Sequence, residues 1–190
     1  MSPLRILVAE DESIIRLGLC RILEDAGHQV VAAPDGRTAM KLARQTGPDL
    51  AILDIKMPGA DGFETAEAIY RRRPMPIVLL TAYGDQELVE QAVDLPIMAY
   101  LIKPVNEQEL LATLEVVVAR FAEQQQLAWQ TADLKDRLAT RKLVERAKGV
   151  LMQQESLSEA EAYGRIQRQA RKERRSMRQV AEAILRQSRV

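Results

Sequence analysis

The sequence is poor in cysteine, histidine and aromatic residues, and each scarcity excludes a class of site. Among 190 residues there is one cysteine, Cys20, and one histidine, His28. Neither an internal disulfide framework nor a zinc site of clustered Cys and His ligands can therefore form. Aromatic residues make up 4% of the chain, too few for a sheet that binds nucleic acid by stacking bases. No apolar run reaches the roughly eighteen residues of a membrane span, so we expect a cytoplasmic protein.

Charge is balanced overall but not along the chain. Residues 1–118 contain 11 Lys and Arg against 18 Asp and Glu, whereas residues 119–190 contain 16 against 9. An acidic module suits a divalent cation, and a basic module suits a polyanion. The sequence therefore predicts two modules with ligands of opposite charge, with compositional drift as the simpler alternative.

The first 120 residues alternate between strand-like and helix-like patterns. Continuous apolar runs predict the buried strands of a parallel sheet that helices cover on both faces. The predicted strands are 4–9, 29–33, 50–54, 77–81 and 99–102. The predicted helices are 13–26, 36–45, 63–73, 85–93 and one that begins near 107, with N-caps at Ser13 and Asn106 and a stop at Gly27. We therefore predict a doubly wound α/β fold for residues 1–120.

The helix that begins near residue 107 has no clear stop signal. Within residues 121–138, Leu127, Leu134 and Leu138 recur at the spacing of a short coiled-coil seam. A solvated linker helix is the alternative, and Trp129 either packs in the seam or covers the domain junction. A seam of this kind would pair two copies of the chain into a homodimer.

Residues 139–190 predict a small bundle of three helices. The first helix has an apolar face made of Leu143, Val144, Ala147, Val150 and Leu151. Ser158 and Glu161 form a capping-box pattern that opens the second helix, and Ser176 begins the third. So short a segment holds only a small core, and we expect it to lean on a partner copy.

Polar side chains follow four of the predicted strands at their carboxyl ends. Glu10 and Asp11 follow the first strand, Asp54 ends the third, Thr81 ends the fourth and Lys103 follows the fifth. The carboxyl ends of parallel strands meet at one edge of a sheet, where open α/β folds bind their ligands. Acids, a hydroxyl and a lysine in one crevice predict a Mg²⁺-dependent site at which Asp54 accepts a phosphoryl group.

Residues 1–120 resemble the receiver domains of response regulators. The resemblance rests on the acidic pair, on Asp54 followed by Met57-Pro58-Gly59 and Asp61-Gly62, on Thr81-Ala82 and on Lys103-Pro104, all in order. It implies a (βα)5 flavodoxin-like fold, phosphorylation of Asp54 by a sensor histidine kinase, and Mg²⁺ as cofactor. The implied metal ligands are Glu10, Asp11, Asp54 and the backbone carbonyl of Lys56; Glu10 stands where many relatives have Asp.

The same resemblance implies a conformational switch. Thr81 moves and Tyr100 turns inward after phosphorylation, while the small Ala82 leaves the phosphoryl group accessible. Pro104 favours a cis peptide that aims Lys103 into the pocket. His28 begins a strand instead of lying on an exposed helix, so we interpret it as structural, and the chain as one that receives phosphoryl groups without passing them on.

Cations crowd residues 165–178, where Glu173 is the one acid. Such a run is usually a solvated helix face, but at a helix junction it favours binding to a phosphate backbone. The segment 141–152 resembles the opening of an ANTAR domain, and the match continues through Glu161-Ala162-Tyr163 and Val180–Leu185. Many relatives carry an Arg where this chain has Gln167. The resemblance implies binding to paired RNA hairpins in leader transcripts, which prevents a terminator from forming.

Gly149 is the informative residue of Ala147-Lys148-Gly149, because a glycine inside a helix costs about 1 kcal/mol relative to alanine. Close approach by another helix or by RNA would offset that cost. The predicted RNA-binding residues are Arg146, Lys148, Gly149, Arg165, Arg168, Arg171, Lys172, Arg175 and Arg178.

We therefore interpret the chain as a phosphorylation-controlled, RNA-binding transcription antiterminator that is not an enzyme. Phosphorylation would favour pairing through the face formed by residues 85–93, strand 99–102 and the helix from 107. A DNA-binding regulator with a helix-turn-helix output and a tail that docks a protein partner are the alternatives.

Overall fold

The computed structural model describes residues 2–82 and 97–187. The chain forms two compact units, Met1–Gln124 and Gln125–Val190. The helix predicted for residues 85–93 lies outside the described residues. Within the described ranges, the helices lack the length and apolar composition that crossing a membrane requires.

The first unit contains a five-stranded parallel sheet. Its strands are β1 (Arg5–Ala9), β2 (Gln29–Ala33), β3 (Leu50–Asp54), β4 (Ile77–Thr81) and β5 (Ala99–Ile102). They lie in the order β2-β1-β3-β4-β5. The order reverses direction between β1 and β3, and open α/β sheets bind ligands at such a switch point. The predicted doubly wound flavodoxin-like fold is confirmed, and every strand lies within one residue of its predicted bounds.

Helices α1 (Ser13–Asp25), α2 (Gly36–Thr46) and α3 (Gly62–Arg72) connect the strands. Local sequence accounts for most of their ends. The Asp35 carboxylate accepts the Thr38 N–H at 2.7 Å at the start of α2. Gly27 adopts φ +86° directly after α1, in the left-handed region that glycine tolerates. The predicted stop at this glycine is confirmed.

The prediction that Ser13 caps α1 is wrong. Glu12 is the N-cap residue and makes no side-chain capping bond, and Ser13 is the first helical residue. The Ser13 hydroxyl instead accepts a hydrogen bond from Arg16 Nη2 at 3.2 Å. Arg16 also contacts the loop that precedes α1, as described below.

Alternate residues of the central strands pack on opposite faces of the sheet. In β1, Leu7 and Ala9 join an apolar cluster with residues of α2 and α3, while Ile6 and Val8 join a second cluster with α1. Burial on both faces is the reason that these strands are continuously apolar. It also fixes the positions of the strand ends from which the polar side chains project.

Helix α4 runs from Glu107 to Glu155. The Asn106 side chain accepts the Glu109 N–H at 2.8 Å, which confirms the predicted cap. Leu110, Leu114 and Val117 of α4 pack against the sheet. The absence of a stop signal near residue 120 in the sequence thus corresponds to a helix that continues for 49 residues.

The second unit packs the end of α4 against α5 (Glu159–Glu173) and α6 (Met177–Gln187). Its core is the cluster Val144, Ala147, Leu151, Ala162, Ile166, Ala170, Val180, Ala181 and Ile184. The capping box at α5 is confirmed, because the Ser158 hydroxyl accepts the Glu161 N–H and the Glu161 carboxylate accepts the Ser158 N–H. The Ser176 hydroxyl accepts the Gln179 N–H at 3.2 Å as α6 begins. The predicted three-helix bundle is confirmed.

Candidate functional site

Three carboxylates converge at the switch point of the sheet. Glu10 and Asp11 directly follow β1, and Asp54 is the last residue of the neighbouring β3. One carboxylate oxygen from each lies within 4.8 Å of those of the other two. Glu10 and Asp54 are buried, while Asp11 is exposed. The sequence prediction that these residues share one crevice is confirmed in its geometry.

Lys103 completes the cluster from the end of β5. Its Nζ lies 2.8 Å from Glu10 Oε2 and 2.9 Å from Asp54 Oδ1. Burial raises the pKa of Glu10 and of Asp54, and the lysine offsets only part of that effect. Burial alone would lower the pKa of Lys103, but its hydrogen bonds to the two carboxylates outweigh burial and raise it. The Lys103-Pro104 peptide is cis, as the sequence predicted.

Arg16 holds the loop that carries the acidic pair, a contact that the sequence analysis missed. Its Nη1 donates to the backbone oxygen of Glu10 at 2.6 Å and to that of Asp11 at 3.2 Å. The Glu12 N–H donates to Glu10 Oε1 at 3.3 Å from within the same loop. The position of Arg16 one turn into α1, facing the preceding loop, is the one signal that could have indicated this role.

Gly62 positions the end of β3 through the absence of a side chain. A Cβ at this residue would lie 2.3 Å from the Asp54 backbone oxygen and 2.8 Å from Ile55 Cα. The Gly62 N–H donates to the Ile55 oxygen at 2.9 Å. Asp61 caps α3 by accepting the Glu64 N–H at 2.8 Å. The Asp61-Gly62 pair therefore packs the start of α3 directly against the strand that presents Asp54.

The donor set fits a hard divalent cation such as Mg²⁺. Magnesium prefers oxygen ligands, and the clustered carboxylates supply them. Lys56 and Asp11 both line a cavity of about 540 Å³ beside the cluster, and the Lys56 backbone also hydrogen-bonds the Asp54 carboxylate. The pKa values of the buried acids are raised chiefly because burial disfavours the ionised form, and a bound cation would favour that form.

Four of the five predicted switch residues lie around the same strand ends, whereas Tyr100 is the second residue of β5. Thr81 is buried, and its hydroxyl contacts the Ala82 backbone oxygen at 3.2 Å. Ala82 and Pro104 line a cavity of about 490 Å³ together with Lys103. Tyr100 is half-buried against the core, and burial raises the pKa of its hydroxyl. The structure thus brings Thr81, Ala82, Lys103 and Pro104 to one edge of the sheet.

His28 occupies a structural position in the first unit. It precedes β2 and is buried, and its Nδ1 accepts the Leu4 N–H at 3.2 Å. The interpretation of this residue as structural is therefore supported.

In the second unit, Lys148 lies inside the bundle instead of on its surface. The lysine is buried, and its Nζ lies 2.8 Å from Glu145 Oε2 and 2.7 Å from Glu159 Oε1. The hydrogen bonds that the ammonium donates, first to Glu145 and then to Glu159, raise the pKa of Lys148. The lysine thus links α4 to the start of α5 through ion pairs that the sequence analysis did not foresee.

The remaining predicted RNA-binding residues divide into two groups. Arg165 pairs with Glu155, Arg175 with Glu173, and Arg178 with Asp136 and Glu182. A second group is exposed and forms no ion pair with any residue in 2–82 or 97–187, namely Arg146, Arg168, Arg171 and Lys172. Gly149 lies on α4 three residues after Arg146, with open space where its Cβ would be. The structure therefore leaves four cations of this set available for a polyanion.

Comparison with known proteins identifies both units. Residues 6–115 match the family profile of the response regulator receiver domain, and residues 132–185 match that of the ANTAR domain. The chain is 45% identical over 184 residues to the transcriptional regulatory protein PdtaR of Mycobacterium tuberculosis, an alignment that covers 96% of this chain and 90% of that protein.

Other relatives share the first unit alone. The phosphate regulon transcriptional regulatory protein PhoB of Escherichia coli is 36% identical over 121 residues, which cover 62% of this chain and 53% of that protein. The solved structure of the chemotaxis protein CheY4 of Vibrio cholerae is 32% identical, with a TM-score of 0.58, and covers 61% of this chain and 99% of that one. Receiver domains bind Mg²⁺ at an acidic pocket, and response regulators with an ANTAR output are not an enzyme family.

Both family matches, together with a relative that shares the whole architecture, agree with the geometry of the acidic cluster and with the helical bundle. The chain therefore belongs to the two-component response regulators, with a receiver domain and an RNA-binding ANTAR antiterminator output.

Proposed function

We propose that Asp54 is the residue through which this response regulator is switched, by accepting a phosphoryl group from a sensor histidine kinase. The observation that carries the proposal is the buried Asp54 carboxylate, held 2.9 Å from Lys103 beside two further acids at the switch point of the sheet. An Asp54 oxygen attacks the phosphorus of a phosphohistidine. The P–N bond breaks, the imidazole leaves with the electron pair, and an aspartyl phosphate remains.

Mg²⁺ is the proposed cofactor, with Glu10, Asp11, Asp54 and the backbone carbonyl of Lys56 as ligands. The clustering of three carboxylates supports this assignment. Bound Mg²⁺ would offset the charge that develops on the phosphoryl oxygens. Lys103, already within hydrogen-bond distance of Asp54, binds an oxygen of the incoming group. Arg16 keeps the acidic loop in place throughout.

The aspartyl phosphate acts through a population shift. Thr81 turns toward the new phosphoryl oxygens, Tyr100 moves inward, and Ala82 leaves room for the group. Lys103, whose backbone N–H donates to the Thr81 oxygen at 2.8 Å, and Pro104 hold the adjoining side of the pocket. The shift favours a homodimer, and phosphorylation must prefer the paired state by a few kcal/mol for the switch to be effective.

The output is binding to paired RNA hairpins in leader transcripts, which are found in the cytoplasm. We assign the receiver domain to residues 1–120, a helical linker with a coiled-coil seam to 121–138, and the ANTAR domain to 139–190. The exposed cations of the last segment contact RNA phosphates, and the chain has no catalytic activity of its own on other molecules. The ANTAR match over residues 132–185 favours this output over duplex DNA or a protein partner.

The test is phosphoryl uptake by Asp54→Ala, followed on a phosphate-affinity gel after incubation with a phosphorylated kinase and Mg²⁺. We expect uptake to be abolished, because the nucleophile is absent, while basal RNA binding stays unchanged. Asp25→Ala is the matched control, since Asp25 is an exposed carboxylate on α1 and its variant should be labelled like the wild type. Retention of the label by Asp54→Ala would reject the assignment of this residue.

A further inference from the structure

One face of α4 in the second unit projects away from the core of the bundle. Lys142, Arg146, Gly149 and Gln153 are spaced by four, three and four residues, which places them on one side of a helix. The three side chains are exposed. Val144, Ala147 and Leu151 lie on the opposite side and pack against α5 and α6.

The glycine on this face has no structural reason within the described chain. A Cβ at Gly149 would meet no atom within 4 Å. Its φ is not in the left-handed region, so it serves no turn. Close packing by α5 or α6 is therefore excluded as the reason for the glycine. Glycine weakens a helix relative to alanine, and Gly18 in α1 has the same open space around it. Gly149 differs from Gly18 because two exposed cations, Lys142 and Arg146, lie on its face of the helix.

The charge of this face is positive. Lys148, the neighbour of Gly149, directs its ammonium into the bundle, where Glu145 and Glu159 neutralise it. Glu145 lies next to this face, and its negative charge is already paired with that of Lys148. Lys142 and Arg146 form no ion pair with the residues that the structure describes. The face therefore presents the cations of Lys142 and Arg146, the side-chain amide of Gln153 and the open space at Gly149.

We propose that the RNA backbone crosses α4 at Gly149, where the missing side chain lets a ribose or phosphate approach the helix between the Arg146 and Gln153 side chains. The inference rests on the proposed RNA-binding function of this unit and names the surface that performs it. A second copy of the chain fits less well, because a two-fold contact would place this cationic face against the same cationic face of the other copy. A phosphate backbone complements both cations and would be bound more weakly as salt is added.

Gly149→Ala tests the proposal because it should change stability and RNA affinity in opposite directions. The open space around this residue accepts a methyl group, so the unfolding midpoint should rise with the better helix former. The dissociation constant for RNA should increase roughly tenfold, since the methyl group keeps the backbone away. The probe is an RNA with two tandem hairpins, selected by the wild-type chain from a pool with randomised loops.

Gly18→Ala is the matched control. Gly18 also lies inside a helix, α1, with no atom within 4 Å of an added Cβ. Its variant should raise the unfolding midpoint and leave RNA affinity unchanged. A pool from which the wild type selects no RNA would reject the proposed function itself. An unchanged RNA affinity in Gly149→Ala would overturn the present inference and leave the proposed function standing. If that variant also lost its dimers in sedimentation, the open space at Gly149 would be assigned to a second copy of the chain.

Discussion

Burial raises the pKa values of Glu10 and Asp54, which makes the acidic cluster a destabilising element when no cation is bound. Between the unfolded and folded pKa values of these acids, the folded state holds more protons than the unfolded state. The free energy of unfolding therefore falls as pH rises through that window, from about pH 4 upward. Above this pH range Glu10 and Asp54 are both ionised, and their burial lowers the free energy of unfolding by a constant amount. The ion pairs with Lys103 reduce that loss.

Mg²⁺ should therefore stabilise the protein more at pH 7 than at pH 4, where protons compete for the same carboxylates. At a concentration 100 times its dissociation constant, the gain is about 2.7 kcal/mol. Thermal unfolding with and without Mg²⁺ at both pH values measures it. Asp25→Asn should behave like the wild type, because Asp25 lies outside the cluster. Equal stabilisation at the two pH values would show that the carboxylates of the cluster are not the ligands.

At the scale of single residues, the sequence predicted the positions of the site residues that lie at the ends of strands. Asp54 ends a buried apolar strand and Lys103 follows an apolar edge strand, so their convergence follows from the parallel sheet alone. Arg16 and Lys148 were not predictable in the same way, because long cationic side chains reach water or a buried partner with equal ease. Glu145 lies three residues before Lys148 on the same helix, whereas Glu159 reaches the lysine only through the packing of α5 against α4.

At the scale of elements, α4 carries large apolar side chains that stay in solvent. Leu127 is 56% exposed, Leu134 is 64% exposed and Leu138 is 54% exposed. Their spacing places them on one side of the helix, as in a coiled-coil seam. Trp129 is 70% exposed and lies on the other side. The exposed stripe supports the pairing of two copies over a solvated linker.

Leu134→Glu should convert a dimer into a monomer, because a carboxylate at the centre of the seam would face its own copy. Sedimentation equilibrium of the phosphorylated chain measures the change, and we expect the dimer dissociation constant to increase at least about a hundredfold. Gln125→Glu adds the same charge on the opposite side of α4 and should leave the dimer intact. A Leu134→Glu chain that remains dimeric would remove residues 121–138 from the interface.

Elements were predictable wherever a local signal begins or ends them. The five strands, the Asn106 cap and the Ser158 capping box all have such signals. Ser13 does not cap α1, because the helix begins one residue earlier than its capping position requires and Glu12 is the N-cap residue. The Ser13 hydroxyl instead accepts from Arg16 of the same helix, whose guanidinium also holds the acidic loop.

At the scale of the whole molecule, the opposed charges of the two modules correspond to two ligands. The acidic first half holds a carboxylate cluster suited to Mg²⁺ and a phosphoryl group. The basic second half presents unpaired cations suited to RNA. The sequence predicted this division from composition, whereas the choice among its cations rests on which of them the bundle neutralises.

The dissociation constant for a two-hairpin RNA, measured with and without beryllofluoride as a stable phosphoryl mimic, tests most directly whether Asp54 controls RNA binding. For the wild type we expect beryllofluoride with Mg²⁺ to lower this constant at least about tenfold, because it shifts the population toward the paired state. Asp54→Ala should bind RNA at the basal level in both conditions. An identical constant for the wild type with and without the mimic, or an equal gain in Asp54→Ala, would contradict the account.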